Sequence, residues 1–352
     1  MSAAVQVSAV VVSHDGGELL LRTLAGLQHA GCFAEILLVD SGSSDGSVQQ
    51  AMAAHPKLRV FPYDSNVGPC ITRNRGLREA RSPLVLLLDD DMELAPGLLD
   101  KLLAPLLRDA ECVATGPRIC EGARRDVVQY EGARWHYAGV PCFTGAGSSD
   151  APGPPRDVDV LTSGCLLVRR EEVLRAGGFR PLLGYLMEDV ELCLRLRLMG
   201  LRLIVVPEAT AWNAGGSAGL SLRGRSFPTR RLVQQARNRA LLRLLLFTPT
   251  TRLLCGPGVA LFEFAGLAMS TAALRPHAWV WGKLLAWNGR REALKLHKEF
   301  RLLRKETDRV VLGAPRFSFT AAARQSGATG LPARVLDTLL QAWWNIAKRF
   351  IA

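Results

Sequence analysis

An apolar run that ends in three consecutive carboxylates constrains this chain more than any other feature. Residues 83–88 carry no charge, and Asp89, Asp90 and Asp91 follow them directly. Such a run predicts a buried parallel strand, and open α/β sheets bind ligands at the carboxyl ends of their strands. Adjacent carboxylates repel one another, so a hard divalent cation among them would relieve the repulsion. A solvated acidic turn is the alternative.

The rest of the chain repeats this alternation of apolar strands with amphipathic helices. With 352 residues and 48% hydrophobic content it can bury one large core, alone or with an appendage. Strands at 7–12, 35–39 and 58–61 alternate with helices at 17–30 and 70–80, which predicts an α/β fold with a mostly parallel central sheet flanked by helices. Further helices are predicted at 98–107, from about 187 and at 229–247, and a strand at 203–206 that Pro207 closes.

Charge is distributed unevenly along the chain. The net charge is +12, yet residues 221–352 hold 23 basic and 6 acidic residues, while the first 220 hold 21 basic and 26 acidic residues. This asymmetry predicts an anionic partner for the second part. No nucleic-acid reading motif accompanies the basic residues, which alternate with apolar runs, so membrane phosphates are favoured over nucleic acid.

Two apolar segments in the basic part are candidates for contact with a membrane. Residues 253–274 are long enough to span it, but Pro257 and the central Glu263 favour a helix packed on the protein or lying at the interface. A last helix presents one apolar stripe, for which an interfacial role and docking on the core are both open. The stripe consists of Leu336, Leu339, Leu340, Trp343, Ala347 and Phe350, with Trp344, Lys348 and Arg349 as expected interfacial anchors.

Eight cysteines are scattered without a CxxC pair, and the first residues do not read as a secretory signal. Reduced thiols and a cytosolic location are therefore expected. Together with the basic part, this predicts a peripheral protein at the cytoplasmic face of a membrane.

Several short motifs occur in an order that resembles family 2 of the glycosyltransferases. The resemblance covers about residues 5–250 and has a rhamnosyltransferase-like character in its second half. The motifs are VVSHD at 11–15, VDSGSSDGS at 39–47, NVG at 66–68, RNRGL at 73–77, LDDD at 88–91, TSG at 162–164, GGF at 177–179 and EDVELCLR at 188–195.

The resemblance implies a GT-A fold and inverting transfer of a sugar from a nucleotide diphosphate to an acceptor hydroxyl. Asp40 is similar to the family acid that hydrogen-bonds the nucleobase, and a carboxylate can accept the ring N–H of uracil or thymine. His14 stands where relatives have a base-stacking Tyr. Arg73 matches an arginine near the nucleotide, where its planar fork suits carbonyl or phosphate oxygens. The alternative roles are a turn residue for Asp40, a loop histidine for His14 and a surface arginine for Arg73.

The three acids resemble the family's Asp-x-Asp motif, which implies a Mg²⁺ or Mn²⁺ cofactor. Asp91 matches the metal ligand and Asp89 the acid toward the ribose, and Asp90 is grouped with the sugar-nucleotide residues without a duty of its own. The metal neutralises the charge of the departing diphosphate. Many relatives complete its shell with a histidine, where this chain has Asn213, whose amide oxygen suits Mg²⁺.

On the acceptor side, the resemblance implies that Asp189 is the general base, and a helix start would favour its ionised form. An N-cap is its alternative. Glu188 is expected to orient the acceptor, and Gly164 belongs to an acceptor-side segment. Glu191 precedes Arg195 by four residues, which predicts an ordinary surface helix pair. Arg180 follows the GGF motif where relatives commonly have an acid.

The expected organisation is a catalytic domain at 1–250, with a nucleotide-sugar half at 1–110 and an acceptor half at 111–250, and a helical extension at 251–352. The expected activity is transfer from a UDP- or dTDP-type sugar to a lipid-linked or cell-envelope glycan. A nucleotide-sugar binding or scaffold protein without turnover is the alternative, supported by Asn213. A nucleotidyltransferase is disfavoured because residues 13–17 make a poor phosphate loop.

Overall fold

Strand and helix alternate through the first 110 residues, as the apolar pattern predicts. The computed structural model describes residues 5–215, 228–317 and 330–351. The strands of this part are β1 (Val7–Ser13), β2 (Glu35–Asp40), β3 (Arg59–Pro62), β4 (Leu84–Asp89) and β5 (Met92–Leu94). Its helices are α1 (Gly17–Ala30), α2 (Ser47–Ala54), α3 (Pro69–Glu79) and α4 (Leu98–Arg108).

Strands dominate the next hundred residues, and helices the remainder. The strands are β6 (Cys112–Glu121), β7 (Val128–Tyr130), β8 (Ala133–His136), β9 (Val140–Phe143), β10 (Arg156–Asp157), β11 (Cys165–Arg169) and β12 (Arg202–Asn213). The helices are α5 (Arg170–Arg175), α6 (Glu188–Leu198), α7 (Thr229–Leu246), α8 (Pro249–Ala272), α9 (Pro276–Phe300) and α10 (Leu331–Ala347).

The predicted α/β fold is confirmed, and its central sheet is mixed. The order is β10-β12-β6-β11-β4-β1-β2-β3, with β5 paired to β12 and β7 to β6, while β8 and β9 form a separate hairpin. Strands β3, β2, β1 and β4 are parallel, as predicted, but β11 runs antiparallel to both β4 and β6. A parallel neighbour needs a crossover, usually a helix, and no helix lies between β6 and β11.

Strand β12 does not stop at Pro207, so the predicted strand end is wrong. It continues to Asn213, and its pairing with β6 is irregular between Val206 and Thr210. Pro is tolerated at such an irregularity because the ladder hydrogen bond is already interrupted there. The extension lets β12 pair with β5, which sets Asn213 opposite Met92.

Helix α10 packs against Tyr137, so the prediction of Trp344 as an interfacial anchor is wrong. Trp344 is 8% exposed and stacks on Tyr137 with ring centroids 5.3 Å apart. The Tyr137 hydroxyl donates a hydrogen bond to the carbonyl of Leu340 at 2.9 Å. Leu339 and Phe350, by contrast, stay exposed. One side of the apolar stripe therefore belongs to the core, and the other does not.

Helix α8 runs through Pro257 without a break and holds the central carboxylate at the protein side. Among the described residues it is the one helix long and apolar enough to cross a membrane, and only 17% of its most apolar window is buried. Glu263, however, is 8% exposed and ion-paired to α7 and α9. One face of α8 is thus fixed to the protein, and the rest is open.

Candidate active site

The acids at the end of β4 meet the start of α6 through one arginine. Arg73, on α3, donates from Nη2 to Asp89 Oδ1 at 2.6 Å and from Nη1 to Glu188 Oε1 at 2.9 Å. Its side chain is 5% exposed. Burial alone would lower the pKa of Arg73, but Asp89 and Glu188 raise it above its ordinary value. The guanidinium is therefore a fixed cation between the acid at the end of β4 and the acid at the start of α6.

Asp90 points at β1. Its Oδ2 accepts a hydrogen bond from the Ser13 hydroxyl at 2.6 Å and from the His14 N–H at 3.3 Å. Burial raises the pKa of Asp90 to about 6. The Thr23 hydroxyl donates to the backbone carbonyls of Asp90 and Met92. Asp90 thereby holds the turn that presents its two neighbours, while a contact with the sugar nucleotide stays a prediction.

A strained turn presents Glu188 and Asp189 at the first positions of α6. Leu186 and Met187 have φ values of 68° and 67°, a left-handed conformation that non-glycine residues rarely adopt. Burial raises the pKa of Glu188 to about 7, and the neighbouring Asp189 charge adds to the shift. Burial also raises the pKa of Asp189, against the opposing effects of Arg73 and of N–H groups. Both carboxyls are thus better proton acceptors than in water.

Asn238, which no sequence motif marks, supports that turn from α7. Its side chain is fully buried, and Nδ2 lies 2.9, 3.0 and 2.6 Å from the carbonyl oxygens of Leu183, Tyr185 and Leu186. A lone Asn in a helix rich in Arg and Leu carries no signal of such a role. The first helix of the basic part is therefore bound directly to the turn that presents Glu188 and Asp189.

Glu191 and Arg195 form a pair, but it is buried, so the prediction of a surface pair is wrong. Both side chains are 0% exposed, with Arg195 Nη2 2.7 Å from Glu191 Oε2. Arg180 Nε donates to Oε1 of the same carboxylate at 3.0 Å. Glu191 therefore compensates for Arg180, the residue that stands where relatives commonly have an acid. A four-residue spacing does not reveal whether the helix face is buried.

The nucleobase candidates lie at the carboxyl ends of β1 and β2. Asp40 is 4% exposed and accepts hydrogen bonds from the Ser43 N–H at 3.1 Å and the Ser43 hydroxyl at 2.5 Å. The β1–β2 ladder pairs Ser13 with Asp40, next to His14. His14 Nε2 is 3.7 Å from Asp15 Oδ2. A carboxylate with two oxygens retains acceptor capacity for a base N–H.

The donor set expected for a metal is brought to one edge by β5 and β12. Asp89 offers a half-exposed carboxylate whose Oδ1 binds Arg73, and Asp91 is 6% exposed. The Ala214 N–H donates to the Asp91 carbonyl at 2.8 Å, which aligns Asn213 with the acids. Within the described residues, no three His, Cys, Asp or Glu side chains form a metal group. Two carboxylates with an amide oxygen are nonetheless hard oxygen donors that fit Mg²⁺ or Mn²⁺, whose shell substrate oxygens and water complete.

Gly164 joins β11 to the same site. Its carbonyl accepts a hydrogen bond from the Asp89 N–H at 3.0 Å, and a Cβ at this position would lie 3.4 Å from Asp89 Oδ2. A larger residue would therefore crowd the acid. Of the predicted site residues, the structure brings together Arg73, Asp89, Gly164, Glu188 and Asp189.

Comparison with known proteins identifies the family. Residues 8–170 match the family described as glycosyl transferase family 2. An N-acetylglucosaminyl-diphospho-decaprenol L-rhamnosyltransferase of Mycobacterium tuberculosis is 30% identical over 231 residues, which cover 57% of this chain and 73% of that protein. The chain belongs to glycosyl transferase family 2. A pre-mycofactocin glycosyltransferase of the same organism is 28% identical to this family 2 chain, over 55% of the chain and 39% of that protein.

A solved structure supports the fold of this family 2 glycosyltransferase. The crystal structure of GalNAc-T7 with UDP, GalNAc and Mn²⁺ matches with a TM-score of 0.58 at 17% identity, over 74% of this chain and 52% of that chain. At this identity the match shows the fold alone, which is GT-A-like. The expected GT-A fold and glycosyltransferase class are thus confirmed, and the scaffold alternative is set aside.

Proposed function

We propose that this family 2 glycosyltransferase transfers the sugar of a UDP- or dTDP-type donor to a hydroxyl of a lipid-linked or cell-envelope glycan. The transfer inverts the configuration at the anomeric carbon of the sugar. The observation that carries the proposal is Arg73, which binds the acid at the end of β4 and the acid at the start of α6 simultaneously. Donor and acceptor groups consequently share one small cluster. The relative named for a diphospho-decaprenol substrate supports a lipid-linked acceptor.

Asp189 is the general base in this proposal. An inverting transfer needs a carboxylate that takes the acceptor hydroxyl proton while the nucleotide leaves from the opposite face of the sugar. Burial raises the pKa of Asp189, which strengthens it as a base, while its position at the start of α6 keeps the ionised form accessible. Glu188, held by Arg73, orients the acceptor hydroxyl.

Donor recognition uses the edge formed by β1, β2 and β4. Asp40 accepts the base N–H, His14 stacks on the base and Asp89 lies toward the ribose. Asp91, with Asp89 and Asn213, would hold Mg²⁺ or Mn²⁺, which when bound neutralises the charge of the leaving diphosphate. Arg73 fixes the Asp89 carboxylate in place for these contacts.

Peripheral association with the cytoplasmic face of the membrane completes the proposal. Among the described residues, fifteen of the nineteen exposed large hydrophobic side chains lie after residue 250. They include Trp281, Leu284 and Trp287 of α9, and Ile346 of α10. The same part of the chain carries the excess of basic residues. Apolar side chains among cations suit an anionic lipid surface.

Activity is tested by a panel of UDP- and dTDP-sugars with a lipid-linked acceptor, with Mg²⁺, Mn²⁺ or a chelator. Asp189→Asn is expected to lower kcat about 10³-fold, since general base catalysis contributes roughly that much. Asp91→Ala should abolish metal-dependent transfer, and Glu111→Gln, an exposed acid, is the control. Full activity of Asp189→Asn in a protein with unchanged melting temperature would refute the mechanism.

Membrane association is tested on the full chain by co-sedimentation with anionic and neutral vesicles. The double variant Trp281→Ser/Leu284→Ser should lose binding to anionic vesicles. Met52→Ser/Leu107→Ser, which also removes two exposed apolar residues but in the catalytic part, should retain it. Equal binding of both double variants would contradict the proposed surface.

A further inference from the structure

An apolar cavity of about 400 Å³ lies between three helices of the basic part, away from the carboxylates of the active site. Its walls are one stripe from each of α7, α8 and α9, and Tyr137 and Leu312 complete its lining. The wall residues are Ala240, Arg243, Leu244, Phe247, Thr251, Arg252, Cys255, Gly256, Val259, Lys283, Ala286, Trp287, Arg290 and Leu294. A volume in this range is typical of small-molecule sites.

The inner end of the cavity is buried and apolar. Tyr137, Phe247, Cys255 and Ala286 are each less than 7% exposed. The Tyr137 hydroxyl is already bound to the Leu340 carbonyl, so the ring offers the cavity an apolar surface. Such a lining suits a hydrocarbon chain, which would bury apolar surface at no cost in hydrogen bonds.

Two of the cations in the wall belong to a cluster with too few acids. Arg243 Nη2 and Lys283 Nζ lie 3.5 and 2.8 Å from Glu263 Oε1, and Arg239 Nη2 lies 3.4 Å from Oε2. One carboxylate thus faces three cations. Burial lowers the pKa of Lys283 to about 8 even though Glu263 opposes the shift. A further anion here would be stabilised by charges that the protein itself leaves uncompensated.

Two more arginines line the cavity beside exposed apolar residues. The Arg290 guanidinium carbon lies 3.5 Å from the centroid of the Trp287 ring, and Trp287 is 62% exposed. Leu294, also in the lining, is 38% exposed. The charge of Asp308 acts on Arg252, but that carboxylate is bound to Arg304 at 2.8 Å. The cavity is therefore reached from the apolar, basic surface of α9.

We propose that this cavity binds the phosphate end of a single membrane lipid, with the hydrocarbon chain between α7, α8 and α9 and the phosphate on Arg243, Lys283, Arg252 and Arg290. An apolar cavity with an excess of cations in its wall is complementary to both the hydrocarbon and the phosphate of that ligand, whereas a free anion would leave the apolar surface unfilled. The proposal deepens the proposed function, on which its link to the acceptor rests: the site would hold the lipid part of a lipid-linked acceptor. Lipid binding in this cavity does not itself require sugar transfer.

The test measures binding of dodecyl phosphate to the full chain by native mass spectrometry, below micellar concentration. Dodecyl maltoside, with the same chain and a neutral head, and inorganic phosphate are the two comparison probes. We expect dodecyl phosphate to bind at 1:1 and at least tenfold more tightly than either. Equal binding of dodecyl maltoside would overturn the anionic part of the site, and equal binding of inorganic phosphate would overturn the lipid part.

Two glycines of α8 give a matched pair of variants. A Cβ at Gly256, in the cavity wall, meets no atom within 4 Å, so Gly256→Leu fills the cavity without a backbone clash. Gly266 lies on the same helix outside the lining, and its Cβ would be 4.0 Å from Trp279 Nε1. Gly256→Leu should weaken dodecyl phosphate binding at least tenfold, and Gly266→Leu should leave it unchanged. Native-like binding by folded Gly256→Leu would overturn the assignment.

Transfer assays separate this proposal from the proposed function. Gly256→Leu should retain slow donor hydrolysis but raise the KM for a lipid-linked acceptor, whereas the KM for a soluble acceptor stays unchanged. An unchanged KM for the lipid-linked acceptor would overturn the link to the acceptor. Tight, Gly256-dependent lipid phosphate binding by a chain that transfers no sugar would support the site and refute the proposed function.

Discussion

Two buried carboxylate clusters in this molecule have opposite charge balances. At the candidate active site, Asp89, Glu188 and Asp189 all lie beside the cation of Arg73. Between α7, α8 and α9, the carboxylate of Glu263 faces the cations of Arg239, Arg243 and Lys283. The first cluster has an excess of negative charge and the second an excess of positive charge.

The difference shows that the balance between burial and counter-charges decides the sign of a pKa shift. Burial disfavours the ionised form of both acids. At Glu188 it prevails and raises the pKa to about 7, whereas at Glu263 the three cations outweigh it and lower the pKa to about 2. The anionic cluster suits a proton or a metal ion, and the cationic cluster suits a phosphate.

The largest expected effect comes from removing the Arg73 cation, which is ion-paired to both Asp89 and Glu188. Arg73→Leu leaves Glu188 buried without a partner, and we expect the free energy of unfolding to fall by about 3–5 kcal/mol, together with loss of transfer. Urea denaturation at pH 7 measures the first. Arg75→Leu, on the same helix with a side chain 44% exposed and paired to Glu79, should cost less than about 1 kcal/mol. Equal losses would contradict the counter-ion role of Arg73.

Asn238 tests whether the two regions are independent. Asn238→Ala leaves the carbonyls of Tyr185 and Leu186 without their buried donor, and we expect a loss of about 2–3 kcal/mol in stability. Because the turn carries Glu188 and Asp189, kcat should fall at least tenfold while the donor KM changes little. Gln234→Ala, which removes a donor to Leu183 alone, is the matched control. An unchanged kcat would show that the turn keeps its geometry without Asn238.

A pH series on Glu188→Gln sharpens the contrast. Because the folded pKa is raised to about 7 from 4.5, the stability that this group contributes is complete below pH 4.5 and is lost as pH rises through 7. The variant should match the native protein at pH 5 and exceed it by about 2 kcal/mol at pH 8. Burial raises the pKa of Glu191, but Arg195 and Arg180 outweigh burial and lower that pKa below its ordinary value. Glu191→Gln should therefore be less stable than the native protein at pH 8. A change in stability of the same sign for both variants at pH 8 would contradict the role of counter-charges in setting these pKa shifts.

Glu263→Gln should show the smallest effect and the reverse pH dependence. Its folded pKa is lowered to about 2 from 4.5, so the stability that it contributes is present above pH 4.5 and is lost as pH falls toward 2. We expect the variant to be about 1–2 kcal/mol less stable at pH 6, because solvent screens the partly exposed cations, and the difference to shrink at pH 3. Glu292→Gln, an exposed acid on α9, is the control. A difference that grows toward pH 3 would contradict the assignment.

Local pattern was sufficient for most of the fold. The strand predicted at 35–39 is Glu35–Asp40, and the helix predicted at 17–30 is Gly17–Ala30, because apolar periodicity and flanking turns define such elements locally. The mixed half of the sheet was not predictable in the same way. The direction of β11 depends on which strands it joins. Pro207 does not end β12, because the pairing with β6 is already irregular at that point.

The candidate site was predicted residue by residue, but its connections were not. Motifs identified Asp89 and Asp189, since acids at strand ends and helix starts are visible in sequence. The bond from Arg73 to Glu188 joins residues 115 positions apart, and Asn238 lies 52 residues from Leu186. Such contacts depend on how helices pack on the sheet, and neither spacing nor composition records that.

Residues on the two sides of the Tyr137–Trp344 stack are expected to co-evolve. The ring of Tyr137 stacks on the indole of Trp344, and the Tyr137 hydroxyl donates a hydrogen bond to the backbone carbonyl of Leu340 on α10. A chimera that takes the segment after residue 250 from another family member would therefore inherit a mismatched half of a shared interior. Exchange of the segment after residue 250 between relatives should succeed only when Tyr137 and its surroundings are transplanted with it.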